Sequence, residues 1–144
     1  RSMTTTLHPI ADMFIHQVLA NSPIAKHLGI TVEAADIDHV VLALPYDDSL
    51  VTVGNTVHGG VIATLIDVAG ASASGSGIAD DATTGGATTV LNINYVTAAN
   101  GTDLTATADV IHRTRRQTIT DVVVRGAAGE LVATATVTSR IFVG

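Results

Sequence analysis

The part of this sequence that most limits its fold is residues 57–74, which are apolar or small almost throughout and contain one acidic side chain, that of Asp67. The stretch is long enough for a helix, but it lacks the polar face of a surface helix. We therefore predict a helix that is buried along most of its length. Any sheet that this chain forms has to cover such a helix, so the helix sets the architecture.

Segments with the composition and alternation of β-strands lie on both sides of this helix, at 29–36, 39–45, 88–97, 103–112, 117–125 and 130–142. The last four follow one another with short loops between them, which indicates antiparallel pairing. An amphipathic pattern over 8–20 predicts a short helix before the first strand, and residues 46–56 and 75–87 are predicted to be loops. We expect an α+β fold in which a curved antiparallel sheet wraps around one long helix.

A chain of 144 residues is enough for one domain. We assign residues 8–144 to that domain and residues 1–7 to an N-terminal tail, in which Arg1 and Ser2 before Met3 resemble a cloning remnant. No apolar run in the sequence is long enough to span a membrane, and no signal peptide is recognisable. We therefore expect a cytoplasmic protein that has no membrane partner.

The composition excludes several classes of function. The chain has no cysteine, which excludes disulfides, thiolate metal sites and a cysteine nucleophile. Its six histidines are scattered, and no two have the spacing of metal ligands, so we predict no metal site. The formal net charge of −6 argues against nucleic-acid binding, because a nucleic-acid surface needs an excess of basic side chains.

Several segments carry a resemblance to a known family. The order of helix, two strands, buried helix and four strands resembles the hotdog fold. The string Val57-His58-Gly59-Gly60, followed by Asp67 seven residues after Gly60, is similar to the PaaI-like (phenylacetate-pathway) branch of the hotdog acyl-CoA thioesterases. Residues 92–95 (Asn-Ile-Asn-Tyr) and 129–133 (Gly-Glu-Leu-Val-Ala) also resemble that branch. The likeness covers nearly the whole chain from about residue 8.

The resemblance implies hydrolysis of an acyl-CoA thioester, without a metal or another cofactor. In this family a backbone N–H at the start of the central helix polarises the thioester carbonyl, and an acidic residue on that helix drives the attack of water. Carried onto this sequence, the donor is Gly59, with Gly60 as a second candidate, and the nucleophile or general base is Asp67. The resemblance also places polar helpers, at Asn55 and Thr88.

The residues themselves fit this chemistry and also fit a simpler explanation. Glycines leave backbone N–H groups accessible to an acyl group, and donors at a helix start can stabilise an oxyanion. The same glycines could serve only to let the helix pack closely on the sheet, and Asp67 could be a buried carboxylate that is satisfied by the hydroxyl of Thr64 or Thr88. We assign His58 a supporting role, because a histidine at a helix start more often orients its neighbours than acts as a base.

The spacing of Gly59 and Asp67 predicts that the site is shared between subunits. The two residues are eight positions apart in the sequence, which is about 12 Å along a helix. Reacting atoms come within about 3–3.5 Å of each other, and an Asp side chain cannot close the difference. If both residues act on one thioester, Asp67 has to come from another subunit. We therefore expect at least a homodimer with antiparallel central helices, and related proteins commonly form homotetramers.

Arg113, Arg115 and Arg116 form a basic cluster in an otherwise acidic chain. Such a run is normally a solvated turn between strands. In related proteins the corresponding strand end often binds the nucleotide part of CoA, so the resemblance makes these arginines the predicted partners of the CoA phosphates.

Two other functions stay open at the level of sequence. A hotdog hydratase or dehydratase would act on the same esters, but such enzymes pair a catalytic histidine with a carboxylate at spacings that this chain lacks. A non-catalytic acyl-CoA-binding module would keep the glycines and the arginines but would have no need of Asp67. The scarcity of aromatic residues leaves the acyl group unspecified.

Overall fold

The computed structural model describes residues 6–144, and residues 1–5 of the predicted tail lie outside the described part. Its strands are β1 (Thr31–Asp36), β2 (His39–Leu44), β3 (Thr83–Tyr95), β4 (Leu104–Arg113), β5 (Gln117–Gly126) and β6 (Leu131–Val143). Its helical elements are α1 (Pro9–Met13), a π-helix (Phe14–Leu19), α2 (Pro23–Leu28), a 3₁₀ helix (Asp48–Leu50) and α3 (Gly59–Gly75).

The long helix α3 confirms the prediction of a buried central helix. It packs against β2, β3, β4, β5 and β6 on one face of the curved sheet. The helix contributes a row of fully buried side chains to the core: Ile62, Leu65, Ile66, Ala69 and Ala73. They meet buried strand residues such as Leu42, Ala106 and Val122. Within residues 6–144 no helix, α3 included, is long and apolar enough to cross a membrane.

The six strands form one antiparallel sheet in the order β1-β2-β4-β5-β6-β3, which confirms the predicted antiparallel pairing. Strand β3 pairs with β6 and not with β4, the next strand along the chain. This is because α3 carries the chain across the sheet before β3 begins, so that β3 reaches the far edge. One side of β3 is consequently without a neighbouring strand.

The N-terminal segment contains more helix than the sequence predicts. The predicted helix over 8–20 is a continuous run of α1 and the π-helix, and it ends where Asn21 and Ser22 follow. The sequence prediction has no element corresponding to α2, which begins at Pro23 directly after the first helix ends. Ser22 Oγ accepts the N–H of Ala25 at 3.4 Å, so the same residues that end the first helix begin the second.

The prediction of a loop over residues 75–87 is wrong in its second half, because β3 already begins at Thr83. Residues 83–87 show no apolar alternation, since they form an edge strand, yet they pair with the end of β6. The ladder between β3 and β6 shifts register between Thr88 and Val90, which is a β-bulge directly beside a predicted site residue. The predicted turn between β5 and β6 is present, with the N–H of Gly129 donated to the carbonyl of Gly126 at 3.0 Å.

Candidate active site

The carboxylate of Asp67 lies on the side of α3 that faces β3. The Thr88 hydroxyl donates a hydrogen bond to Asp67 Oδ1 at 2.6 Å, and both residues are half-buried. Thr64, the other candidate partner, donates instead to the carbonyl of Gly60 at 2.9 Å. Asp67 Oδ2 has no hydrogen-bond partner among the described residues. One hydroxyl therefore orients the carboxylate and leaves its second oxygen available to a water molecule or a substrate.

His58 caps the N-terminal end of α3. Its Nδ1 accepts the N–H of Gly60 at 2.7 Å, which requires the ring proton to sit on Nε2 in the neutral imidazole. The N–H of Gly60 is therefore already occupied. The N–H of Gly59, by contrast, has no acceptor within residues 6–144. Of the two predicted donors, Gly59 is the one that is open. His58 orients the Gly60 N–H, and its supporting role in catalysis stays a prediction.

Tyr95 lies over the start of α3 and is not among the site residues predicted from the sequence. Its hydroxyl donates to the Gly59 carbonyl at 2.8 Å, and a Cβ on Gly59 would lie 3.5 Å from its ring. With Ile62 and Val96, Tyr95 lines an open groove of about 290 Å³ that reaches Gly59. In the sequence Tyr95 belongs to an alternating strand pattern and to the segment 92–95 that resembles the family, and neither signal relates it to the helix start.

Gly59 and Asp67 both belong to the uninterrupted helix α3, so the separation of about 12 Å that we derived from the sequence holds in the structure. Each contacts the edge strand β3, Gly59 through Tyr95 and Asp67 through Thr88. One chain does not bring the open N–H and the open carboxylate oxygen to the same reacting atom.

Asn55 lies in the exposed turn before α3. Its carbonyl accepts the N–H of Gly101 at 2.9 Å, and its side-chain amide packs against the same glycine. Its side chain makes no hydrogen bond within the described residues, and Asn55 bonds to neither Asp67 nor Gly59. The structure gives Asn55 the contacts of a turn residue, and its predicted role as a polar helper stays a prediction.

Arg113 closes the C-terminal end of α3. Its Nε and Nη2 each lie 2.9 Å from Asp38 Oδ1, and Nη2 also donates to the carbonyl of Ala73 at 3.1 Å. The N–H of Asp38 is held in turn by Ser76 Oγ at 2.8 Å, in a turn where Asp38 has a left-handed φ of 66°. Arg113 thus holds a contact within the fold through Nε and Nη2, and its predicted role in binding a CoA phosphate stays a prediction.

Arg115 and Arg116 are both exposed. Neither guanidinium has an ion-pair or hydrogen-bond partner in the part of the chain that the structure describes. Of the three predicted phosphate ligands, these two have the freedom to bind an anion.

Among residues 6–144 of one chain, neither His58 nor Asp67 makes a histidine–carboxylate contact. The carboxylate of Asp109 lies 2.6 Å from Nδ1 of His39, but both residues lie on the face of the sheet opposite α3. Within residues 6–144 no group of three or more His, Cys, Asp or Glu side chains is placed to hold a metal ion.

A cavity of about 140 Å³ begins beside Thr88 and extends along the C-terminal half of α3. Its walls are mainly apolar and include Phe14 and Leu19 of the π-helix and Ala71 of α3. Ala71 is one helical turn beyond Asp67. An apolar cavity whose wall begins one helical turn from a carboxylate has the properties of a site for a small organic group.

Comparison of the sequence with known proteins agrees with this geometry. Residues 54–138 match the family model of the thioesterase superfamily. This stretch contains the helix start, Asp67 and Thr88. A protein of Halobacterium salinarum, whose name provisionally assigns it as an esterase, is 36% identical over 104 residues, which make up 70% of this chain and 68% of that protein.

Solved structures with the same fold include two whose identity to this chain is 25% or more. The PaaI protein from the phenylacetic acid degradation operon of E. coli has a TM-score of 0.83 at 25% identity, over 96% of this chain and 98% of its own. A hypothetical thioesterase from Streptococcus pneumoniae, solved with coenzyme A, has a TM-score of 0.71 at 26% identity, over 79% of this chain and 86% of its own. These likenesses confirm the hotdog fold that the order of elements predicts.

Proposed function

Because this chain belongs to the thioesterase superfamily and is a thioester hydrolase, we propose that it hydrolyses an acyl-CoA to the free acid and CoA. The observation that carries the proposal is a pair of open groups on one helix. The Gly59 N–H and Asp67 Oδ2 both lack partners among the described residues. By contrast, the neighbouring Gly60 N–H and the other carboxylate oxygen, Asp67 Oδ1, are hydrogen-bonded. A donor for an oxyanion and an acceptor for a proton are what thioester hydrolysis requires.

In the proposed mechanism, a water molecule bound to Asp67 Oδ2 attacks the thioester carbonyl carbon and gives its proton to the carboxylate. The N–H of Gly59 of the partner subunit stabilises the negative charge that develops on the carbonyl oxygen. The carbon–sulfur bond then breaks, and CoA leaves as a thiolate that takes up a proton. If Asp67 instead attacks the carbonyl itself, CoA leaves as a thiolate and a mixed anhydride forms. Attack of ¹⁸O-labelled water on the Asp67 carbonyl of this anhydride leaves the label in the Asp67 side chain after a single turnover, which general-base hydrolysis never does.

The open edge of the sheet supports the proposal that two chains share the site. Strand β3 has no neighbour on its outer side, and it exposes three large apolar side chains, those of Val90, Leu91 and Tyr95. Val96, which follows the strand, is exposed as well. An exposed apolar edge strand is a template for pairing with another strand. Antiparallel pairing of β3 with β3 of a second copy joins the two sheets into one around a two-fold axis. Such dimers could pair further into tetramers through the surfaces that remain.

One register of this pairing assembles the proposed site. If the two-fold axis passes midway between Thr88 and Tyr95, Thr88 of one chain lies opposite Tyr95 of the partner subunit. Thr88 holds Asp67, and Tyr95 contacts Gly59. This register therefore brings the carboxylate of each chain towards the open N–H of the other, as the 12 Å spacing along α3 demands.

We propose that Arg115 and Arg116 bind phosphate groups of CoA. Both guanidinium groups are exposed on a chain with a net charge of −6, so they offer local positive charge to a polyanionic ligand. The thioesterase from Streptococcus pneumoniae that resembles this chain was solved with coenzyme A, which supports the same class of ligand here.

The proposal is tested by thiol release from a panel of acyl-CoAs. We expect turnover by the wild type and a loss of about 10²–10⁴-fold in kcat for Asp67→Asn and Asp67→Ala, since both remove the proton acceptor. Asp81→Asn, which removes an exposed carboxylate from a loop, is the matched control and should keep full activity. Binding of acyl-CoA by the wild type without thiol release would reject hydrolysis and favour the non-catalytic module.

A further inference from the structure

Three hydroxyl residues lie side by side on the face of the sheet that α3 covers. Thr88 on β3 is paired with Ser139 on β6, and Ser139 is paired with Thr118 on β5. Directly opposed residues share a face, with their Cβ atoms about 4.5–5.5 Å apart. The two outer hydroxyls are bonded: Thr88 donates to Asp67 at 2.6 Å and Thr118 to Ser74 Oγ at 2.6 Å.

The middle hydroxyl has no partner. Ser139 is 3% exposed, and its Oγ makes no hydrogen bond within residues 6–144. Such a group is unusual, because buried hydroxyls are normally hydrogen-bonded. The preceding inward positions of β6, Ala133, Ala135 and Val137, are apolar, so the alternation of the strand would place an apolar residue here as well. A serine at this position needs a polar partner that the fold does not supply.

Ser139 lines the cavity of about 140 Å³ that begins beside Thr88. Ser74 also lines it, and the other walls are mainly apolar side chains such as Phe14, Leu19 and Ile78. A buried cavity of about 150 Å³ holds a benzene molecule, so this one has room for one ring or a chain of about six carbons. The cavity therefore has mainly apolar walls and one buried hydroxyl without a partner, and that hydroxyl lies one strand away from the threonine that orients Asp67.

We propose that this cavity binds the acyl group of the substrate and that Ser139 recognises an oxygen on that group. The inference rests on the proposed thioester hydrolysis and names its substrate class: short acyl-CoAs that carry a hydroxyl or oxo group within a few bonds of the thioester. The Ser139 hydroxyl can donate to an oxo group or accept from a hydroxyl group. An unsubstituted chain of the same length leaves Ser139 unpaired, and a site built around a substrate hydrogen bond discriminates against such an analogue.

The test compares hexanoyl-CoA with its isomers that carry one hydroxyl at successive carbons of the chain. We expect the wild type to prefer at least one hydroxy isomer over hexanoyl-CoA by about tenfold or more in kcat/KM. Ser139→Ala should bring this ratio close to one. Ser72→Ala is the matched control, because Ser72 is also buried with an unpartnered Oγ but does not line the cavity. It should keep the wild-type ratio.

The outcomes separate the specificity from the activity. Hydrolysis of hexanoyl-CoA with no preference for any hydroxy isomer, or an unchanged preference in Ser139→Ala, overturns the role of Ser139 and leaves the thioesterase activity standing. Absence of thiol release from every member of the series overturns both. Ser139→Cys, which keeps a similar volume but bonds weakly, provides a second variant with the same expected loss of preference. The melting temperature of each variant shows that it is folded.

Discussion

The two ends of α3 differ in how their backbone groups are used. At the C-terminal end, the guanidinium of Arg113 and the hydroxyl of Ser76 both donate to the carbonyl of Ala73, and Asp38 anchors the arginine. At the N-terminal end, His58 engages one N–H, and the N–H of Gly59 stays open beside a groove. Both ends carry part of the helix dipole, so the side chains make the difference. The closed end serves stability, and the open end is available for chemistry.

The three arginines of the basic cluster also differ in their contacts. Arg113 is the last residue of β4 and reaches back to the helix end, where a cation is favoured by the dipole. Arg115 and Arg116 follow in the turn and remain exposed. Three arginines within four positions of the sequence thus divide between a structural contact and a surface that is free to bind an anion.

Among changes at the two ends of α3, the largest effect is expected from removing the open N–H without disturbing the helix. Gly59 is the first residue of α3, a position where proline is tolerated, and His58 before it has the extended backbone that a following proline requires. Gly59→Pro should lower kcat by about 10²–10³-fold, the typical loss on removing one oxyanion donor. Steady-state thiol release measures it.

Gly59→Ala is the matched control, because it keeps the N–H and its Cβ would lie 3.5 Å from Tyr95, an ordinary contact. Circular dichroism checks that α3 is intact in both variants. Equal activity of the alanine and proline variants would break the claim that the open N–H has a chemical role.

The second effect concerns the closed end and should appear in stability rather than in substrate binding. Arg113→Ala removes the ion pair to Asp38 and the hydrogen bond to Ala73, and it should lower the free energy of unfolding by about 1–2 kcal/mol, since the pair is partly exposed. Arg115→Ala should leave stability within about 0.5 kcal/mol and raise KM for acyl-CoA. Urea unfolding measures the stability, and steady-state kinetics measure KM. A loss of stability in Arg115→Ala together with unchanged stability in Arg113→Ala would contradict the separate roles of these two arginines.

A smaller effect is expected from the cap at the open end. His58→Ala removes the acceptor of the Gly60 N–H and should cost about 1 kcal/mol of stability, as the loss of a helix cap typically does. His58→Asn places another good capping side chain there and should recover most of that loss. Thermal unfolding of both variants compares them. If alanine and asparagine behave alike, the hydrogen bond of His58 does not support the helix start.

The smallest effect is a pH dependence in the turn that supports the open end. The hydroxyl and N–H of Ser49 donate to Asp47 at 2.6 and 2.8 Å, and these bonds hold the pKa of Asp47 below its usual 3.8. That turn carries Leu50, whose carbonyl accepts the N–H of His58. A lowered pKa means that the carboxylate stabilises the fold above pH 3.8 and that this contribution is lost as the pH falls through the lower folded-state pKa.

Asp47→Asn should therefore lower the melting temperature slightly at neutral pH and approach the wild type at acid pH. Melting temperatures measured from about pH 6 down to about pH 2.5 test this. A constant difference between the two proteins over that range would show that ionisation of Asp47 contributes nothing to the turn.

Much of the fold follows from the sequence because its strongest signals are periodic. The uniform apolar stretch around Asp67 predicts the central helix, and alternation predicts the strands on both sides of it. The start of β3 at Thr83 is missed, because an edge strand rich in Gly and Thr has no buried face to show in its sequence. The place of β3 beside β6 is a long-range pairing, which local patterns do not contain.

The candidate site, too, is only partly predictable from the sequence. The family resemblance and the helix geometry select Gly59 and Asp67, and spacing alone separates them by about 12 Å. Which of the two glycine N–H groups is open depends on the side-chain rotamer of His58, and no sequence pattern specifies that. Ser139 does have a signal in the sequence, since a serine continues a series of inward apolar residues. Only the structure shows that this serine lines a cavity.

The claim that each site is shared by two chains is tested most directly by mixing two inactive variants. Gly59→Pro keeps the carboxylate, and Asp67→Ala keeps the open N–H. With random exchange of subunits, half of the dimers are mixed and each has one complete site of two, so we expect recovery of about a quarter of wild-type activity. If verified mixed dimers recover no activity, both groups act within one chain, and the shared site is contradicted.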